Sequence, residues 1–245
     1  MRDIITLPLA GGEEWVIATD NSGAIGEKAL DEVKADYETL AYFSFRVAAM
    51  ECLAAGASLE SILLHNFCGE KAWSRLRAGI EKGLAELGLG DIPFIGSTES
   101  NFDLKQSAMG ITVMGKRPLP SPDFMSSLPD WELAVVGTPL VGDEVMAQQE
   151  KIAPLGVFSQ LLALDDVVLL PLGSKGIFHE LSRLPAGKFK RPEEVVSSVD
   201  IFKSAGPATA FLIVYPAWLT KEIKNRCQEW FHAIERREFY EENRV

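Results

Sequence analysis

Three acidic side chains stand in three separate stretches that could each serve a metal or a phosphate. Glu99 lies in Ile95-Gly-Ser-Thr-Glu-Ser-Asn-Phe102, which is followed by the apolar run Gln106-Ser-Ala-Met-Gly-Ile-Thr-Val-Met-Gly115. The pattern predicts a buried strand, a tight glycine turn carrying a carboxylate and two hydroxyls, and a second strand. Asp20 closes the apolar run Glu14-Trp-Val-Ile-Ala-Thr19 and opens the turn-forming cluster Asp20-Asn-Ser-Gly-Ala-Ile-Gly26. A carboxylate there reads either as a cap or turn former or as a metal ligand, with Gly23 and Gly26 letting backbone approach a phosphate. Glu51 is the third. Hard carboxylate oxygens from separate loops suit a divalent cation, and glycine turns suit phosphate oxygens.

The elements that must position these groups follow from periodicity. Leu40, Phe43, Val47, Met50 and Ala54 recur at spacings of three and four, which predicts a helix over 37–55 with Gly56 as its left-handed cap. Glu51 follows Leu40 by eleven residues and so returns to within about 20° of the same direction. A carboxylate on a core-facing stripe needs a partner; the plain alternative is a rim glutamate turned to water. Leu59-Glu-Ser-Ile-Leu-Leu-His-Asn66 reads as a strand whose polar end carries His65 and Asn66, and 71–87 as an amphipathic helix with Trp73, Leu76, Ile80, Leu84 and Leu87 on its stripe.

Arg117-Pro-Leu-Pro-Ser-Pro122 suits neither helix interior nor central strand and predicts a boundary between a unit over 1–117 and another over 123–245. In the second unit Trp131–Gly137, Val167–Leu172 and Pro207–Tyr215 read as strands. Pro139–Val145 and Val157–Ala163 read as short helices or helix starts. Gly173-Ser-Lys-Gly176 opens a helix and is a candidate anion turn. Ile223, Cys227, Trp230 and Ile234 predict one C-terminal helix from Thr220, its charged tail a solvated face.

Composition narrows the function classes. The 245 residues carry 24 Lys+Arg against 35 Asp+Glu, a net charge of −11 that disfavours non-specific nucleic-acid binding. No apolar run approaches the roughly 20 residues of a membrane span, and the first ten residues are too interrupted for a signal peptide. Cys52, Cys68 and Cys227 are odd in number and scattered, so neither a disulfide framework nor a zinc site is implied and a reduced cytoplasmic setting is the default expectation.

At these residues a family resemblance enters. Thr19-Asp20 followed by glycines and Lys28, a helix closing Met50-Glu51-Cys-Leu-Ala-Ala-Gly-Ala57, and Gly96-Ser-Thr-Glu99 together resemble the aminoimidazole ribonucleotide synthetase-like (PurM-like) superfamily. The order and approximate spacings match over 14–116, with a weaker match at Gly173–Gly176 and at Ser204-Ala-Gly-Pro-Ala-Thr209. Two departures stand out. The usual Asn-Asp pair is Met50-Glu51, and Ser97 takes the place of the second glycine of a Gly-Gly-Glu-Thr turn. Asp20-Asn-Ser-Gly23, His65-Asn-Phe-Cys-Gly69 and Gly96–Phe102 most resemble the α-ribazole kinase branch.

The resemblance implies a two-domain α+β/α/β fold, with a trimmed second domain and a homodimer formed through the first domain's sheet. It implies ATP and Mg²⁺ in a cleft between the domains, with Asp20, Glu51 and Glu99 as metal ligands and transfer of phosphate to the 5′-hydroxyl of a riboside; from charge and hydropathy, neither a nucleic acid nor a membrane is expected as partner. Asn21, Ser22, Gly23, Lys28, Asn66, Gly96, Ser97, Thr98, Asn101 and Lys175 are its expected nucleotide- and phosphate-facing positions, with Asp20, Lys28 and Glu99 closest to the chemistry. No general base is evident, His65 being the candidate. A ligase or cyclase that activates an oxygen as a transient phosphate, and a non-enzymatic nucleotide-binding regulator, are the alternatives.

Overall fold

The computed structural model describes residues 3–119, 131–184 and 189–237. In chain order the first half holds β1 (Ile4–Pro8), β2 (Glu13–Gly23), β3 (Ile25–Gly26), β4 (Val33–Lys34), α1 (Tyr37–Ala54), β5 (Ser58–Asn66), α2 (Trp73–Glu86), β6 (Phe94–Thr98) and β7 (Ala108–Pro118). The second half holds β8 (Trp131–Val136), α3 (Asp143–Ala147), α4 (Leu155–Leu162), β9 (Val168–Pro171), α5 (Gly176–Ser182), β10 (Val195–Val196), β11 (Phe211–Pro216), α6 (Thr220–Cys227) and β12 (Phe231–Arg236). Two sheets result, ordered β1-β2-β7-β5-β6 and β10-β12-β8-β11-β9. All the pairings within them are antiparallel except β5 with β6. The α+β description therefore fits better than α/β.

Alternation explains the first sheet. On β2, Val16 and Ala18 point to the helices and are buried, while Trp15 and Ile17 point to the other face. The same parity carries across the sheet through register pairs such as Ala18↔Val113 and Val113↔Ile62.

Helix α1 is the centre of the molecule. Asp36 caps it, its carboxylate accepting from the Thr39 amide at 2.9 Å and hydroxyl at 2.8 Å. Gly56 follows its end at φ +83°, the left-handed cap that the sequence predicts. The expected single apolar stripe is too narrow, because Ala41, Ser44, Phe45, Ala48, Ala49 and Cys52 are buried as well. The reason is tertiary. The first sheet covers one side of α1, α2 another, and β9 of the second sheet a third, so small residues are needed nearly all round. On α2, Gly79 and Gly83 let the helices touch: a Cβ on Gly79 would overlap the carbonyl of Glu38, and one on Gly83 the ring of Phe45.

One hydrophobic cluster runs from β2, β5, β7, α1 and α2 into α4, β9, β11 and α6. A second lies on the far side of the second sheet, around Leu133, Val135, Leu212 and Val214. The two halves thus share a core. The segment 120–130, which includes the last three residues of the proline-rich boundary, is outside the described residues, as are 185–188 and the charged tail from 238.

Two sequence expectations change. The stretch 94–102 is not a turn between buried strands: Phe94–Thr98 is a strand at the edge of the sheet, with Ile95 69% exposed and Phe102 78% exposed. Gly96 is required there by packing, since a Cβ would overlap the Leu64 carbonyl and meet Trp73 at 2.8 Å. The C-terminal helix ends at Cys227 instead of running through Ile234. Gln228 takes φ +47°, and Phe231–Arg236 becomes a strand paired with β8. The helical spacing of Ile223, Cys227, Trp230 and Ile234 is overridden because β8 needs a partner on that side.

The close contact of α1 and α2 is testable. Gly79→Ala would raise helix propensity by up to about 1 kcal/mol, yet the overlap with Glu38 is expected to lower stability by about 2 kcal/mol net in denaturant unfolding. Gly90→Ala, where a Cβ meets nothing within 4 Å, serves as the neutral control.

Candidate functional site

Between the halves lies a cavity of about 220 Å³. The first half contributes Asp20, Asn21 and Ser22 from the end of β2, Ile25 and Val33 from the small β3–β4 pair, and Leu40, Phe43 and Ser44 from α1. Val141, Gly142, Val145, Met146, Gly206 and Pro207 close it from the second half. The walls are mostly apolar, and Asp20 is the one charged side chain among the residues that line it.

Asp20 reaches this place because β2 runs on to Gly23, four residues beyond the strand end that the sequence predicts. By alternation it points inward beneath α1, as Ala18 does. Burial is the main influence on its carboxyl and pushes its pKa up to about 6; the Ser44 hydroxyl and the Asn21 amide offset only part of this. The hydroxyl of Ser22 is buried beside it and has no hydrogen-bond partner among the described residues. A carboxyl that burial drives toward neutrality and an unsatisfied hydroxyl in one cleft are what a site awaiting a polar ligand presents.

The remaining predicted residues fall into two other groups. Asn66, Thr98, Glu99 and Asn101 gather at the C-terminal end of β5 and β6, and Lys28 bridges to the same region. Asn66 is buried and fully used locally: its amide donates to Gly69 O and Thr98 Oγ1, both at 3.0 Å, and its carbonyl accepts from the Cys68 amide at 2.8 Å. Glu99 accepts through Oε1 from the Asn101 amide at 2.7 Å and the Phe102 amide at 3.3 Å, so its carboxylate shapes the loop. Lys28 Nζ donates to Leu104 O at 2.8 Å and Phe67 O at 3.2 Å. Gly96 and Ser97 are exposed on the edge strand, and His65 is exposed on the face away from the helices. A Cβ on Gly23 would meet nothing within 4 Å, so no steric demand fixes a glycine there.

Glu51 and Lys175 form the third group. Both line a small cavity of about 70 Å³ together with Gly173, Ser174, His179 and Arg183. The structure thus brings Glu51 to the Gly173–Gly176 turn and not to Asp20. Seven residues separate Glu51 from Ser44, about 10 Å along the helix axis. Asp20 and Gly96 are likewise three strand steps apart through Ile111 and Leu64, about 14 Å. Asp20, Glu51 and Glu99 therefore do not converge, and among the described residues no group of three His, Cys, Asp or Glu stands close enough to hold a metal ion.

Several residues of importance escape a reading by motif. Asp31 accepts from the Ser107 amide at 2.6 Å, the Ser107 hydroxyl at 2.7 Å and the Lys28 amide at 2.8 Å, pinning the segment after β3 against β7. Ser44 was passed over, its one signal being a small hydroxyl next to two phenylalanines on a largely apolar helix. The second-half wall had no sequence signal, because it is built of ordinary apolar residues and glycines.

No family model and no curated protein matches the sequence. Solved structures do match in fold. The hydrogenase maturation protein HypE in complex with ATP is similar at TM-score 0.56 and 12% identity, over 94% of this chain and 78% of that one. AaThiL complexed with AMPPCP and TMP is similar at TM-score 0.55 and 12% identity, over 96% and 84%. T. maritima PurL complexed with AMPPCP is similar at 0.56 and 13%, over 91% of this chain and 40% of its own. The chain has the PurM-like fold of these proteins. No helix among the described residues is long and apolar enough to cross a membrane.

The Asp20 carboxyl has a pH signature. Its folded pKa of about 6 lies above the ordinary 3.8, so the folded chain holds the proton more tightly than the unfolded chain. The stabilisation is complete below about 3.8 and is lost as pH rises through about 6. Asp20→Asn is expected to raise stability by about 2 kcal/mol at pH 7.5, with the gain shrinking toward pH 4, in thermal unfolding across that range.

Proposed function

We propose that this chain is an ATP-dependent kinase that phosphorylates the 5′-hydroxyl of a riboside, with α-ribazole the leading acceptor. The cleft carries the reading: an apolar chamber whose polar side chains are one carboxyl titrating near neutrality, the Asn21 amide and hydroxyls that include the unsatisfied Ser22. Such a chamber suits a flat, uncharged aromatic base far better than a polyphosphate, because no cation lines it. An acceptor seated with its ring among Leu40, Phe43, Val141 and Val145 would present its hydroxyl to Asp20, which can take the proton as the oxygen attacks. Support for the nucleotide comes from the fold, since solved proteins of this shape hold ATP, or AMPPCP together with TMP. The motif resemblance to the α-ribazole kinase branch supports the acceptor.

Phosphoryl transfer asks for positioning and charge neutralisation more than covalent help. Lys28 keeps one N–H beyond the two bonds described, and we assign it and Lys175 to phosphate oxygens. Asn21, Ser22, Ser97, Thr98 and Asn101 are assigned to polar contacts with nucleotide or ribose. The three expected carboxylates do not fit a preformed metal site within one chain. Mg²⁺ enters the proposal as the counter-ion that ATP brings, and no step depends on a protein-bound metal.

The separation of Asp20, Glu51 and Glu99 favours a second reading, a nucleotide-binding regulator without turnover. Incubation with Mg-ATP and a panel of ribosides, followed by mass spectrometry, separates the two. ADP with a phosphorylated benzimidazole riboside is expected, and Asp20→Ala should lower kcat by about 100-fold or more. Thiamine phosphate as the sole acceptor would move the assignment to another branch. Binding of ATP with no product from any acceptor would establish the regulator.

The first sheet also supports a homodimer as part of this proposal. Ile5, Leu7, Trp15, Ile17, Leu63, Met114 and Ile95 lie on the face opposite the helices, and Ile5, Leu7 and Ile95 are exposed. A second copy of the same face would cover this apolar surface. Ile5→Asp with Ile17→Asp is expected to convert a dimer to a folded monomer in sedimentation velocity; a wild-type chain that sediments as a monomer would refute it.

A further inference from the structure

A second cavity, of about 260 Å³, lies on the other side of Thr39 and Phe43, which line both chambers. Its floor is Arg46, a fully buried guanidinium. Two of its nitrogens are occupied: Nε donates to Ala208 O at 2.8 Å and Nη2 to Ala153 O at 2.6 Å. Nη1 is buried and has no hydrogen-bond partner among the described residues. The Tyr42 hydroxyl donates to Glu86 Oε2 at 2.7 Å, and its oxygen also stands close enough to the guanidinium to support its charge, as Glu86 does from behind it. A buried cation held by two carbonyls and a tyrosine oxygen, with its nearest carboxylate one group removed, is costly unless an anion completes it.

The rest of the cavity restricts which anion fits. Glu38, Glu86 and Glu150 stand around the opening, with Lys82 held over the Tyr42 ring at 5.1 Å. This acidic rim disfavours a dianion such as phosphate and favours a ligand that carries its own positive group. Tyr42, Phe43, Pro154 and Trp230 supply apolar and aromatic walls, Trp230 being fixed by its indole N–H to Glu150 O at 2.8 Å.

We propose that this cavity binds a small amphoteric carboxylate of the α-amino-acid class, its carboxylate on Arg46 and its ammonium group between Glu38 and Glu150. The ligand would bridge the two halves, since Arg46 and Glu38 belong to the first and Glu150 and Trp230 to the second. The proposal is independent of the kinase reading.

Isothermal titration of the full chain with L-amino acids, acetate and inorganic phosphate tests it. Saturable binding of one or more amino acids is expected, with acetate and phosphate about tenfold weaker or worse. Arg46→Lys removes the planar donor but also disturbs two structural bonds, so the decisive variant is the exposed Glu150→Gln. It should weaken the amino acid about fivefold to tenfold and leave acetate unchanged. Absence of saturable binding by every amino acid, tighter binding of phosphate, or a Glu150→Gln variant that binds the amino acid like wild type would each overturn the assignment.

Discussion

A single helix enclosed on most of its circumference sets the terms for this fold. Helix α1 touches the first sheet, α2 and the second sheet, with alanines, a serine and a cysteine among its buried residues beside larger ones such as Phe45 and Met50. Two glycines on α2 complete the approach. Into this dry seam the chain places one guanidinium, whose bonds to Ala153 and Ala208 fasten the second half to the first. Charge-assisted bonds of this kind are each about 1.5–3 kcal/mol, and losing the guanidinium would leave both carbonyls without a donor. Ala208 itself sits at φ +51°, a conformation that non-glycine residues seldom take, and its carbonyl is one of the two that Arg46 holds.

The candidate cleft is a by-product of the same arrangement. Because α1 lies between the sheets, the end of β2 emerges under its first turns, and Asp20 and Ser22 face a chamber that the second half roofs. The burial that makes the helix stable also removes water from the carboxyl. At Asp20 the charged carboxylate that the proposed function calls for is thus opposed by the packing around it.

Much of the fold was legible in the sequence, and for simple reasons. The limits of α1 followed from its apolar spacing and Gly56, and β5, β8 and β9 followed from short apolar runs with turn residues beside them. What failed were features decided at a distance. The periodicity of Ile223, Cys227, Trp230 and Ile234 is helical on paper, but the open side of β8 turns its last third into a strand. Glu99 looked like a ligand because a carboxylate in a glycine loop suits a metal, whereas in the structure two neighbouring amides use its oxygen. Glu51 was rightly singled out as an acid on a crowded helix, yet the direction it faces depended on where β9 docks. Asp20 was singled out in the sequence as a candidate ligand; its raised pKa was not legible, since that comes from burial in a chamber whose opposite wall includes Pro207, 187 positions away.

The shared core has a consequence for motion. Two domains with separate interiors can swing about a linker as rigid bodies, each keeping its own contacts. Here a common apolar interior joins the sheets, so any such swing would expose it and cost as much as partial unfolding. Access to the cleft must then come from smaller parts. The segment from β3 to β4 is suited to this, being held to the body by a few polar bonds through Asp31 and Lys28 where the sheets are held by packing. Breathing of that flap, on the timescale of a loop and without change in the angle between the halves, is the motion that this architecture permits.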